Sequence, residues 1–287
     1  MNKNIFLIGL MGCLMLFSCQ KEDELTPSGA DVDYFLPAED NMSEEAELKR
    51  EFFAENDVRL LFSDTIHVDT QDTIVINFDY NFTVNHTGLE YIVEKIQDID
   101  EKKAAAEFVS EGVIKRLGSV PPPYSVLLAK DFMSSDMSWG YEILTPIATQ
   151  PSLKTTVITV GDILSKEDWE KTELANSVLS LYLGLQLSTN YVTELKEFFT
   201  VSSFIYDDMW NAFPTFTETD QINGFLEAPS DYSSFNRSND LQTYLRYMFS
   251  YTEDDFRAMY GSYDRIITKM EALKSILNDE FNIEIYN

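Results

Sequence analysis

The stretch that most constrains this chain is Thr172–Asn190, TELANSVLSLYLGLQLSTN, its longest strongly apolar run outside the N-terminus. Leu174, Val178, Leu181 and Leu185 recur at steps of four, three and four, the spacing of one face of a helix. Leu179, Leu183 and Leu187 add a second apolar row, so the helix is expected to be wrapped by other elements rather than to lie on a surface. Thr172 and Glu173 suit its first turn, and Ser188-Thr189-Asn190 its end. A fold must therefore be built around this helix.

The segments before it supply sheet. Val58–Leu61 reads as a strand, and so does Asp72–Val84, where Ile74, Ile76, Phe78, Tyr80 and Phe82 alternate with Val75, Asn77, Asp79 and Asn81. Leu89–Leu117 carries Ile92, Ile96, Phe108, Val109 and Val113 at helical steps, with Asp98–Lys103 as the expected break between two helices. Asp98-Ile99-Asp100-Glu101 reads as a solvated helix end rather than a calcium loop. Pro121-Pro122-Pro123 closes this unit, because proline cannot continue a helix. Ser125–Ala129 and Thr155–Val160 are short aliphatic or β-branched runs, hence strands, with Gly140–Pro151 a loop between them. Ser165-Lys166-Glu167-Asp168 has the form of an N-cap for a short helix carrying Trp169.

Behind the central helix the sequence turns helical. Tyr191–Phe199 leads into an aromatic stretch with Phe204, Tyr206, Trp210, Phe213 and Phe216, dense enough to line a groove or to plug the space between helices. Tyr244–Tyr251, a segment from Glu253, and Ile266–Leu277 then carry helical periodicity. The expectation is an α+β fold, one small mixed sheet packed on a buried central helix, with a mostly helical C-terminal half.

The N-terminus reads as a targeting segment. Lys3 precedes thirteen apolar-rich residues, Ile5–Phe17, too few for a typical membrane span. Leu16-Phe17-Ser18-Cys19 resembles a bacterial lipobox, in which Cys19 would be lipidated and become the mature N-terminus. The expected division is a signal peptide at 1–18, an acidic flexible tether at 19–47 and a single domain at 48–287. Ser43-Glu44-Glu45-Ala46-Glu47 looks like the start of the domain's first helix. With Cys13 lost in the signal and Cys19 carrying lipid, no thiol remains for a nucleophile or a zinc site. Twenty-one basic residues face 49 acidic ones, a formal charge of −28, which argues against nucleic acid as a partner. The acidic run after Cys19, Gln20-Lys21-Glu22-Asp23-Glu24, resembles the signal that sends lipoproteins of Bacteroidetes from the outer membrane to the cell surface.

Leu181–Asn190, LYLGLQLSTN, also resembles the motif helix of the zinc-binding metallopeptidase lipoproteins of Bacteroidetes, which reads H-E-F-G-H-I-L-H-Q-N. Gly184, Leu187 and Asn190 stand where that family has Gly, Leu and Asn. Its two zinc histidines, however, fall on Leu181 and Leu185, and its general-base glutamate on Tyr182. A later D-F-A-E motif, whose Glu is the family's candidate third ligand, matches Asp240-Leu241-Gln242-Thr243 and puts Thr243 at the ligand position. The resemblance covers roughly Leu48 to the end and implies a zincin-like metallopeptidase fold.

These residues deny that fold its chemistry. A zinc ligand offers a lone pair from imidazole, thiolate or carboxylate, and leucine has none. The two histidines, His67 and His86, lie far upstream and nineteen residues apart. The expectation is a degenerate site without metal, its leucines filled in as core, and hence no cofactor. Tyr182, Tyr206, Trp210 and Thr243 are the candidate groove residues. The expected role is non-catalytic binding of peptide, glycan or an outer-membrane uptake partner. An active peptidase or glycosidase working through a different site is the alternative, although no G-x-S-x-G elbow occurs.

Overall fold

A computed structural model describes residues 33–68, 73–78, 89–137, 140–152, 154–206, 216–228 and 235–285. Cys19, the expected signal segment, His86, Trp210 and Phe213 lie outside them. The described residues from Phe35 onward belong to one compact unit.

The unit begins before the boundary expected at 48. The first helix, α1, spans Glu44–Asn56 behind a Ser43 N-cap whose side chain accepts from the Ala46 amide. The segment ahead of it is tied down too. Arg50 donates to the carbonyls of Ala38 and Asn41, and the Phe35 ring meets Tyr124 edge-on at 5.3 Å. The last part of the expected tether is therefore structured.

The elements that follow are β1 (Arg59–Leu61), β2 (Thr65–Val68), β3 (Thr73–Val75), β4 (Glu90–Lys95) and α2 (Ile99–Gly112). After them come β5 (Ser125–Asp136), β6 (Ile143–Pro146), β7 (Thr149–Gln150) and β8 (Thr155–Thr159). The second half holds the long helix α3 (Asp168–Asn190), then α4 (Lys196–Thr200), α5 (Glu218–Ile222), α6 (Arg237–Ser250), α7 (Glu253–Tyr260) and α8 (Asp264–Ser275), closed by a π-helical turn at Ile276–Glu280. The architecture is mixed α+β with a mixed sheet. Among the described residues no helix is long and apolar enough to cross a membrane.

Strand β5 organises the sheet. It runs parallel to β1 over Ser125–Leu127 and to β8 over Ser125–Ala129; it then pairs antiparallel with β4 over Ala129–Ser135 and with β6 over Met133–Asp136. Its parallel half is buried throughout, as a strand covered on both faces must be. Alternate residues divide two clusters. Leu60, Val126, Leu128 and Ile158 point into the large core shared with the helices, whereas Leu61, Leu127, Ala129 and Val157 join a smaller one with Ile76, Phe78 and Phe132.

Several local expectations need correction, beginning with the strand expected over Asp72–Val84: β3 spans only Thr73–Val75, 76–78 are not strand, and 79–84 lie outside the described residues. Glu90–Lys95 is a strand, not a helix, and the helix begins only at Ile99, where Asp98 accepts from the amides of Asp100 and Glu101. Asp98–Lys103 is thus a helix start rather than a break between two helices. The segment expected as loop between β5 and β8 contains β6 and β7. Trp169 lies on α3 itself, which starts at Asp168 through a capping box between Glu167 and Glu170.

Helix α3 fills the expected central place. Val178, Leu179, Leu183 and Leu187 are fully buried in the large cluster. The helix runs against α6, the most extensive helix contact in the unit, from Asn176, which donates to the Phe249 carbonyl, to Gly184, which meets Gln242.

Candidate functional site

The site starts from one missing side chain. A Cβ at Gly184 would stand 2.2 Å from Cγ of Gln242 on α6, so only hydrogen fits at that crossing. Such close approach sets the first turns of α6 against the middle of α3. Asn236 starts α6 by accepting from the Asn239 amide at 2.9 Å. Between the two helices and the segment Phe225–Ala228 lies a cleft of about 230 Å³. Ser177, Ser180 and Leu181 form one wall; Asn239, Gln242 and Thr243 form the other. At one end Glu227 pairs with Arg246 and accepts from the Tyr247 hydroxyl at 2.8 Å.

The floor is charged. Asp240 lines the cleft, yet its side chain is only 2% exposed, and behind it Lys269 of α8 is completely buried. Lys269 Nζ lies 2.5 Å from Asp240 Oδ2 and donates to the Gly224 carbonyl at 2.9 Å. Tyr206 donates its hydroxyl to the same Oδ2 at 2.5 Å and stands 3.4 Å from Nζ, as does Ser202 Oγ. Aromatic rings close the cage, with Nζ 4.7 Å from the centroids of Phe198 and Tyr244 and 4.9 Å from that of Phe225.

Electrostatics follow from that burial. Loss of water raises the Asp240 carboxyl above its usual range, only partly offset by Lys269 and Tyr206. The same desolvation lowers the Lys269 amine, with Asp240 opposing it. Both shifts run toward a neutral pair. Burial, reinforced by the Asp240 charge, keeps the Tyr206 phenol far above its ordinary value.

The four expected positions do not converge. Leu181 and Thr243 face each other in the cleft. Leu185, one turn further along α3, is half-buried outside the cleft lining. Neither leucine is filled in as core: both are only partly buried, and Leu181 faces the cleft. Tyr182 sits 1% exposed on the other side of α3, its hydroxyl bonded to the Pro121 carbonyl at 2.9 Å and to Gln186 Nε2 at 2.7 Å. It is a structural tyrosine and not a groove residue. Tyr206 lies beneath the cleft, in the cage, rather than on its wall.

These groups do not fit a zinc ion. Leu181 and Leu185 carry no donor atom, Thr243 spends its hydroxyl proton on the Asn239 carbonyl at 2.8 Å, and the Asp240 carboxylate is held by Lys269 and Tyr206. Among the described residues no group of three or more His, Cys, Asp or Glu is placed to hold a metal. His67 falls in β2.

Lys269 is the residue that sequence reasoning missed. Its signal was a lone cation within the apolar row Ile266, Met270 and Leu273, where a lysine has no place unless something inside the fold receives it.

Fold and site together define an α+β domain with a helix-walled cleft, its walls mostly uncharged, with the Glu227–Arg246 pair at one end and a buried Lys–Asp pair beneath. No family model, curated protein or solved structure matches the chain.

Proposed function

We propose that this chain is a lipid-anchored envelope protein whose degenerate, zincin-like metallopeptidase domain binds a ligand in the cleft between α3 and α6 and does not cleave it. One observation carries this reading. The cleft walls present Leu181 and a set of neutral amide and hydroxyl groups from Ser177, Ser180, Asn239, Gln242 and Thr243, while its one buried carboxylate is engaged from below by Lys269. Such a surface suits a ligand that is itself neutral and rich in hydrogen-bonding groups, a peptide backbone or a glycan. A formal charge of −28 disfavours polyanions in the same place. Anchoring would be through Cys19, in the outer membrane and facing the cell surface. Outer-membrane uptake proteins are its proposed macromolecular partners.

The test is a thermal-shift and calorimetric screen of peptides and oligosaccharides against the wild-type chain and Leu181→Arg, which places a long cation across the cleft. Ligand stabilisation in the wild type, lost in Leu181→Arg, supports the reading. Turnover of any peptide or glycan that disappears in Asp240→Asn replaces it with an active hydrolase. Fatty-acid labelling in the native host, abolished by Cys19→Ser, tests the anchor.

A further inference from the structure

We infer that Lys269 and Asp240 are joined, or become joined during maturation, by an intramolecular isopeptide bond that ties α8 to α6. The geometry leads there. Nζ and Oδ2 are 2.5 Å apart, and the carboxyl carbon lies one C–O bond beyond that oxygen. Both side chains are sealed from solvent, at 0% and 2% exposure. The Gly224 carbonyl and Ser202 Oγ also contact Nζ and limit its rotation. A pair held this way reacts as one molecule, and fixed geometry of this kind is worth effective concentrations on the order of 10⁵ M or more.

The step balances without any outside reagent. One proton passes from the ammonium to the carboxylate, leaving a neutral amine and a carboxylic acid, the forms that burial favours on both sides. The Nζ lone pair then attacks Cγ, and the C=O electron pair moves onto Oδ1. Collapse of this adduct re-forms the carbonyl and expels Oδ2 as water, with one proton lost from nitrogen and one gained by oxygen. Tyr206 is positioned to relay them: its hydroxyl is 2.5 Å from Oδ2 and 3.4 Å from Nζ, so it can give a proton to the leaving oxygen while taking one from the amine. The cage of Phe198, Phe225 and Tyr244 keeps bulk water from reversing the bond. Asp240 borders the cleft, which offers the released water a way out.

The tie has a mechanical sense in this fold. It would close a loop of 29 residues in a domain whose cysteines, at positions 13 and 19, both precede its compact unit. A covalent link of that kind restricts the unfolded chain much as a disulfide does.

Tryptic mapping of the unfolded full-length protein decides the matter. Expected is a branched peptide joining Ser238–Arg246 to Ile266–Lys274, one water lighter than the two together, with no cleavage after Lys269. Separate Ser238–Arg246 and Ile266–Lys269 peptides in the wild type would overturn the inference. Lys269→Arg, which keeps the charge but lacks a nucleophilic amine, should yield only unlinked peptides; a branched product there would place the link elsewhere. Tyr206→Phe should slow linkage about a hundredfold in a time course after cell-free synthesis. Linkage at the wild-type rate in that variant would remove Tyr206 from the reaction.

Discussion

Among the described residues, two polar clusters on either side of α3 differ in how they are assembled. On the side of α3 away from the cleft, Tyr182, Gln186 and Asn190 form a neutral ladder: Asn190 Nδ2 donates to Gln186 Oε1 at 2.9 Å, Gln186 to the Tyr182 hydroxyl, and that hydroxyl to the Pro121 carbonyl. All three side chains come from one helix at steps of four. Below the cleft, Lys269, Asp240, Tyr206, Ser202 and Gly224 come from α6, α8 and two connecting segments. The ladder costs the fold little, since each member is uncharged and bonded to its neighbour. The cage holds charge or its neutral equivalent without water, and it works only while every contributor stays in place.

The largest effect expected from breaking this contrast is at Lys269. Lys269→Met leaves the Asp240 carboxyl buried without its partner and should cost roughly 3–5 kcal/mol, read as a lower urea midpoint. The double variant Lys269→Met/Asp240→Leu removes the stranded group and should regain part of that loss. Full recovery of the wild-type midpoint would count against a covalent tie, because the double variant cannot form one.

Next comes the crossing that sets cleft and cage side by side. Gly184→Ala forces its new methyl into Gln242 Cγ, close to the α6 backbone where the side chain has little room to swing away. A loss of about 1–3 kcal/mol is expected, reduced when Gln242→Ala is combined with it; simple additivity in chemical denaturation would contradict the close approach.

The smallest effect belongs to the ladder. Tyr182→Phe keeps the ring and deletes one hydroxyl, leaving the Pro121 carbonyl and Gln186 amide short of a partner, for about 1 kcal/mol. Cleft ligand binding should be unchanged, since Tyr182 faces away from it; altered affinity at an unaltered fold would return this residue to the groove.

How far the sequence could be read follows the same division. Ile76 and Phe78 are buried and Val75 is exposed, as the alternation requires, although the strand itself spans only Thr73–Val75 and the two buried side chains follow it. Ser43 is legible as a helix start because an N-cap bonds to amides only two or three residues away, whereas Asp98, read as a helix end, proves to be the N-cap of α2. Glu90–Lys95 misleads because Ile92 and Ile96 are four apart, and a short segment with that spacing fits either period; pairing with the far half of β5 makes it a strand. Strands β6 and β7 are four and two residues long and owe their form to partners on β5 and β8. Such pairing leaves no local trace.

The candidate site divides likewise. Of the three degenerate ligand positions that the resemblance implies, Leu181 and Thr243 line the cleft and Leu185 does not. That Leu181 would face the cleft, and Tyr182 turn inward, depended on which side of α3 received α6.

By itself the sequence determined a buried central helix, strands before it, helices after it, and side chains at Leu181 and Leu185 that carry no donor atom. Those properties follow from residue chemistry and from periodicities of two and 3.6, which a chain carries wherever it goes. Tertiary structure alone decided that Lys269 would meet Asp240 across 29 residues inside a ring of aromatics. Burial of a charge is favourable only when distant segments supply its partner, and no local pattern records where those segments will meet.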